Sequence, residues 1–280
     1  MTRASVLALI ALAAVLLAGP TPAARAGLKE ATEAYNAGDY ATALKEFLPL
    51  AEAGDAEAQT LVAGLYARGL GTPAAVDKAA AWYARAAEQR HPYATAMLGW
   101  FHLRGLGVPQ DPVKGYRLLS RAAAQGQPDA LVMRAAVTKK AIDGLDDLVA
   151  AEAKSGGIDL AQAYFRVAQT FARGHGVPRL PEVAAEAFRR AAGRGHSVAQ
   201  YELGRRLDAG DGVTEDPAQA FEWFRKAADQ GHADAAAMIG RAYLLGRGVA
   251  ADRLQAMVRL TWAKTAGSAV ADEILQGMDK

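Results

Sequence analysis

Apolar positions along this chain recur with a helical period, and the pattern is interrupted at regular intervals. Ala58, Val62 and Tyr66 lie at i, i+4 and i+8, and Ala79, Tyr83, Ala86 and Ala87 continue with the same spacing after a short break. The next stretch repeats the arrangement with Ala94, Leu98 and His102, then Leu118, Leu119, Ala122 and Ala123. Each unit is therefore read as two helices, A and B. A pair of glycines marks the break in five copies: Gly69 and Gly71, Gly105 and Gly107, Gly174 and Gly176, Gly210 and Gly212, Gly246 and Gly248. Their spacings of 36, 69, 36 and 36 residues are the mark of a repeat architecture. The expectation is an all-α protein, an α/α solenoid of antiparallel helix pairs with a 36-residue repeat.

The turn chemistry supports this. Just past a helix C-terminus the chain commonly needs positive φ, which glycine alone adopts without a Cβ penalty. Downstream, Asp111 before Pro112 and Asp216 before Pro217 place a capping carboxylate ahead of a proline at the first helical position, and Asp252 holds the same register. Gln219 and Gln255, three residues beyond their caps, predict a capping box. A phosphate-binding loop is excluded by context: no copy has a third glycine opening the helix, nor Gly-Lys followed by Ser or Thr. Alanines at 86, 122, 191, 227 and 263 share one register, where a methyl group lets neighbouring helices approach closely.

These patterns divide the chain. Residues 27–55 carry two short apolar patterns broken at Gly38 without the glycine pair, as befits an N-terminal capping hairpin. Residues 56–268 form the repeat array of six units. The unit 128–160 is degenerate: it has 33 residues, no glycine pair and abundant charge, yet Leu131, Val132, Ala135 and Ala136, then Leu145, Leu148, Val149 and Ala153, keep helical spacing. It reads as a repeat with a shortened turn, with a bend or a dedicated contact site as the sharper alternative. Residues 269–280 form a C-terminal capping helix in which Ala271, Ile274 and Leu275 cover the last repeat.

Residues 1–26 alter the setting. Arg3, a 13-residue apolar run from Val6 to Ala18, and Ala24-Arg25-Ala26 read as a secretory leader cleaved after Ala26, which places the mature chain outside the cytoplasm, in the periplasm. The run is too short to span a bilayer, so no membrane insertion of the mature chain is expected. The chain has no cysteine, which removes thiolate metal sites, thiol nucleophiles and disulfides together. Removing the leader takes two arginines and no acid, leaving 30 basic against 30 acidic residues, so no nucleic-acid partner is expected.

The motif can be written from one copy: Ala199, Gln200, Tyr201, Leu203, Gly204, then Gly210, Gly212, Val213, Asp216, Ala220, Trp223, Lys226, Ala227, Ala228, Gly231, His232. It resembles the Sel1-like repeat, related to tetratricopeptide arrays, over roughly residues 56–268. The resemblance implies a right-handed superhelix of helix pairs. It also implies a protein-interaction role, exported bacterial members being similar to adaptors and regulators of envelope signalling or assembly. The helix-pair disulfides of cysteine-rich members are absent.

Candidate chemistry is sparse. His91, His196 and His232 share a register just before helix A, one repeat apart, too far to share a metal. They read as local caps or polar packing, and His102, where Tyr66 and Tyr243 stand in other copies, as packing. None of Ser120, Ser155, Ser197 and Ser268 lies in a nucleophile elbow. No enzyme activity, cofactor or metal is expected. What remains is surface. Phasing helix A from Ala94, Leu98 and His102 turns Trp100, Phe101, Gln169, Arg205, Arg206 and Arg241 away from helix B, and these types are frequent at protein-binding hot spots. Arg68, Arg104 and Arg173 end helix A, where a cation offsets the macrodipole. The expected function is a protein-interaction module or adaptor of the cell envelope that binds a protein partner on its concave surface. The alternatives are a periplasmic regulator restraining a membrane sensor and an envelope hydrolase with an unrecognised site. Oligomeric state is left open.

Overall fold

The computed structural model describes residues 22–174 and 176–278, with side chains from residue 27 onward. The expected leader over residues 1–26 lies outside these, apart from the helical backbone of residues 22–26. The described residues form helices and no strand. In chain order they are α1 (Pro22–Asn36) and α2 (Tyr40–Glu52), α3 (Ala56–Arg68) and α4 (Val76–Glu88), α5 (Pro92–Arg104) and α6 (Pro112–Ala124), then α7 (Pro128–Asp143) and α8 (Leu145–Gly156). They continue with α9 (Leu160–Arg173) and α10 (Pro181–Gly193), α11 (Ser197–Ala209) and α12 (Pro217–Ala228), α13 (Ala233–Leu245) and α14 (Arg253–Thr265), and α15 (Ala269–Met278).

The helices group into two compact units, one ending at Arg134 and the other beginning at Ala135. In the first, α1 to α6 pack each on the next along the chain. Phe47, Val62 and Leu65 fill the space between α2 and α3, and Tyr83 meets Phe101 edge-on at 5.4 Å between α4 and α5. In the second, α9 to α14 form three successive pairs. Ala271, with Ile274 and Leu275 beside it, packs α15 onto Ala237, Leu260 and Ala263. The alanines at 86, 122, 191, 227 and 263 are all fully buried, which is what lets helix A and helix B backbones come together.

Two expectations need correction. Asp111, Asp216 and Asp252 do cap their helices, accepting from the N–H of Lys114, Gln219 and Gln255 at 2.8, 2.9 and 3.0 Å. The reciprocal half of the box is not made by Gln219 or Gln255. The cap's own N–H instead donates back to helix A, Asp216 to the Leu207 carbonyl and Asp252 to that of Tyr243. The A–B turn thus satisfies that donor itself.

The second correction concerns residues 128–160, which do not fold back as a hairpin. Gly144 sits at φ −90°, ψ 7°, close to helical. Its N–H donates to the Lys140 carbonyl and its own carbonyl accepts from Leu148, so helical hydrogen bonding runs through the junction. Without a positive-φ glycine to reverse the chain, α8 leaves α7 and packs on α9.

Candidate functional site

Each A–B turn is held by two glycines with different duties. The first ends helix A in the left-handed conformation, with φ between 64° and 74° at Gly69, Gly105, Gly174, Gly210 and Gly246. The second also has positive φ but is constrained by space. A Cβ on Gly107 would stand 2.3 Å from the Val76 carbonyl oxygen, on Gly212 2.2 Å from that of Pro181, and on Gly248 2.1 Å from that of Pro217. In each case the turn of one repeat lies against the first turn of helix B in the repeat before. Gly176, which follows the degenerate unit, has nothing within 4 Å.

The histidines join the repeats at the other end. Nδ1 of His91, His196 and His232 accepts from the N–H of Ala94, Ala199 and Ala235 at 3.2 to 3.3 Å, capping α5, α11 and α13. An Nδ1 that accepts leaves the proton on Nε2, which donates to Glu57 at 2.9 Å from His91 and to Gln162 at 3.1 Å from His196. Ser268 does the same work for α15, accepting from Ala271 and donating to Asp234. Burial holds the His196 and His232 imidazoles below their usual pKa. His102 is buried packing, its Nδ1 3.3 Å from the Pro109 carbonyl.

The expected binding residues separate by register. Trp100, Gln169, Arg205 and Arg241 occupy one helix A position in four repeats, and all reach the surface at least in part. Trp100 lies under Arg104, one turn on, at 5.3 Å, and Arg205 lies over Tyr201 at 5.8 Å. Phe101 and Arg206 occupy the next position and are buried there, as Leu65 is in the first repeat, whereas Thr170 at the same register is exposed. Phe101 is 3% exposed inside the core, and Arg206 is 9% exposed, ion-paired to Asp211 and packed over the Phe188 ring at 4.8 Å. Both are structural, because one residue along a helix turns a side chain by about 100°.

Arg241 has a structural tie that sequence reasoning missed. Asp208, whose side chain is only 14% exposed, accepts from Arg241 at 2.5 Å and from Arg247 at 2.6 Å, and Arg247 continues to Glu215. These hydrogen bonds, led by Asp208, push the Arg247 guanidinium above its usual pKa. The signal was present in the repeats: Asp208 stands where the others have Ala67, Leu103, Ala172 and Leu244.

A groove of about 500 Å³ opens in the second unit, lined by Ile142, Glu182, Glu186, Arg189, Leu207 and Val213 among others. One Glu182 carboxylate oxygen is buried without a hydrogen-bond partner. Glu186 is committed to Arg189 and Arg190. Among the described residues the lining contains no serine or histidine, and so no Ser–His pair for acyl transfer. Among the described residues there is no group of three or more histidine or acidic side chains that could hold a metal. No described helix is long and apolar enough to cross a membrane.

The family model for the Sel1 repeat matches residues 56–91, 92–127, 161–196, 197–232 and 233–257, and leaves the degenerate unit unmatched. Among solved structures, the chain is similar to a protective antigen of uropathogenic Escherichia coli displaying an SLR fold, at 26% identity and a TM-score of 0.42 over 85% of this chain. It covers 52% of that antigen, about half its length. It is also similar to a Sel1 repeat protein from Oxalobacter formigenes, at 24% identity, a TM-score of 0.40, and 91% and 88% of the two chains. The cysteine-rich protein B of Helicobacter pylori is similar at 19% identity, a TM-score of 0.34, and 49% and 96% of the two chains. No curated protein matches the chain.

Proposed function

The chain belongs to the Sel1 repeat family, and from that premise we propose that it is a protein-interaction module of the bacterial cell envelope that binds a partner protein through helix A. Repeats of this family generally serve as scaffolds for protein interaction. The observation that carries the reading is the outward register of helix A. Positions inside the repeats are spent on glycine turns, caps and alanine packing. This register instead carries Trp100 beside Arg104 in the first unit, and Gln169, Arg205 and Arg241 in successive repeats of the second. Tryptophan and arginine on a rigid, partly exposed surface are the types that anchor protein interfaces. The envelope setting is supported by Arg3, the apolar run and the Ala24-Arg25-Ala26 site.

The test is partner capture with Trp100→Ala/Arg205→Ala. Arg241 is left in place, since removing it would also break its pair with Asp208. Helicity should be unchanged, and capture should fall roughly thirtyfold for each anchor that is buried in the complex. Glu222→Ala/Arg225→Ala, an exposed pair on helix B, is the control. Capture that survives the first change and fails with the second would move the binding surface to helix B. N-terminal sequencing of the exported protein should begin at Gly27, and a retained Met1 in the cytoplasmic fraction would sink the envelope assignment.

A further inference from the structure

α14 is apolar on two faces. Its inner side carries Ala256, Leu260 and Ala263, all fully buried. Its outer side carries Leu254, Val258 and Trp262 at i, i+4 and i+8, exposed by 72%, 55% and 45%, with Met257 beside them. A helix that is apolar on more than one side belongs in an environment that covers each of them. The repeat fold does not demand the outer stripe. At the register of Trp262 the other matched repeats have Arg85, Arg121, Arg190 and Lys226, and at that of Val258 three of the four have Arg117, Glu186 and Glu222. At the register of Leu254 the others have Asp77, Val113, Glu182 and Ala218, so every other matched repeat carries at least one charge among the three positions and only this one is apolar at all of them.

Charge indicates what fits. Arg253 and Arg259 are exposed on opposite flanks of the stripe, and neither has an ion-pair partner among the described residues. Lys264 is held by Asp272 at 3.3 Å, and the carboxylate of Asp252 is taken up in capping Gln255. The stripe thus has free cations on both sides, and α14 itself carries no acidic residue. A second copy of α14 would set arginine against arginine, which disfavours self-pairing.

We propose that the outer face of α14 is a docking seam for an amphipathic helix of a partner protein, with apolar residues at i, i+3 or i+4 and i+7 and Asp or Glu on both flanks. The proposal rests on the protein-interaction reading and adds a second surface to it. Leu254 to Trp262 spans eight residues, about 12 Å of helix, or a little over two turns. Trp262 is the apolar anchor, and Arg253 and Arg259 set the register and orientation of the incoming helix.

The experiment places a benzophenone amino acid at Val258 of the full chain in intact cells and identifies the crosslinked segment by mass spectrometry. A parallel sample carries it at Trp100. The expected product at 258 is a segment of a second protein with a helical apolar pattern and acidic flanks. Arg253→Glu/Arg259→Glu should reduce its yield at least tenfold while far-UV helicity is kept. A crosslink to lipid, to another copy of this chain or to a segment without acidic residues overturns the proposal, and so does no product at 258. If 258 fails while Trp100 yields a protein product, the seam is wrong and the general reading stands. If both fail, both are wrong.

Discussion

At the scale of single residues, the second glycine of each pair is where sequence and geometry meet most sharply. Gly212 and Gly176 lie in the same unit with φ of 77° and 71°, so an added Cβ costs each about 1 kcal/mol of left-handed strain. Only Gly212 faces a wall, the Pro181 carbonyl at 2.2 Å from that Cβ. Gly212→Ala should therefore destabilise by a further roughly 1–3 kcal/mol beyond Gly176→Ala, measured by thermal melts, and equal melting points would show that the close approach carries no energy. The histidine caps give a second prediction. The folded pKa of His196 and His232 is lowered, so the unfolded chain takes up protons first as pH falls. Their contribution is present above the ordinary imidazole pKa and is lost as pH drops through the folded value. The melting temperature should fall between about pH 7.5 and about pH 5, and less so in His196→Asn/His232→Asn, where asparagine keeps the cap without titrating. An unchanged pH slope in that variant would remove the histidines from the explanation. These positions were legible in advance because positive φ and an orphan helix N–H each accept few residue types. What the glycine's neighbour would be was not legible, since it lies in the preceding repeat.

At the scale of helices, periodicity located the elements but did not fix which side of each one faced in. Phasing from Ala94, Leu98 and His102 points Phe101 and Arg206 outward together with their neighbours, and only packing against Tyr83 and Phe188 shows that these two turn in. Likewise the pattern in residues 128–160 correctly indicated helices, yet periodicity is silent on whether two helices fold back. The missing glycine pair was the relevant signal, and Gly144 at φ −90° is its consequence. Charge at an otherwise apolar register was the other overlooked clue. Asp208 joins α11 to α13 through Arg241 and to the following turn through Arg247. Asp208→Asn removes the charge both arginines share at a largely buried position and should cost about 2 kcal/mol. Arg205→Ala, whose partner Glu202 lies 3.7 Å away at an exposed site, should change stability little. Equal losses from the two would mean that the Asp208 network is no stronger than a surface pair.

At the scale of the whole molecule, stability in a repeat array is close to a sum of intrinsic terms and nearest-neighbour interfaces, so a weak interface divides the array energetically. The helix α7 is itself sparsely buried. Ala130 is its one buried residue, Leu131 and Val132 are exposed, and no buried side chain follows until Leu145 in α8. The turn that follows this stretch also lacks the close glycine contact, as Gly176 shows. The two units should therefore unfold in separate steps. The tryptophans allow each to be followed alone: Trp82 and Trp100 lie in the first, Trp223 and Trp262 in the second. With Trp223→Phe/Trp262→Phe the emission reports the first unit during urea unfolding, and with Trp82→Phe/Trp100→Phe it reports the second. Introducing Gly212→Ala into both backgrounds should lower the midpoint of the second unit and leave that of the first in place. A midpoint that moves equally in both would mean that α7 transmits stability despite its sparse packing, and the array would then be one cooperative body.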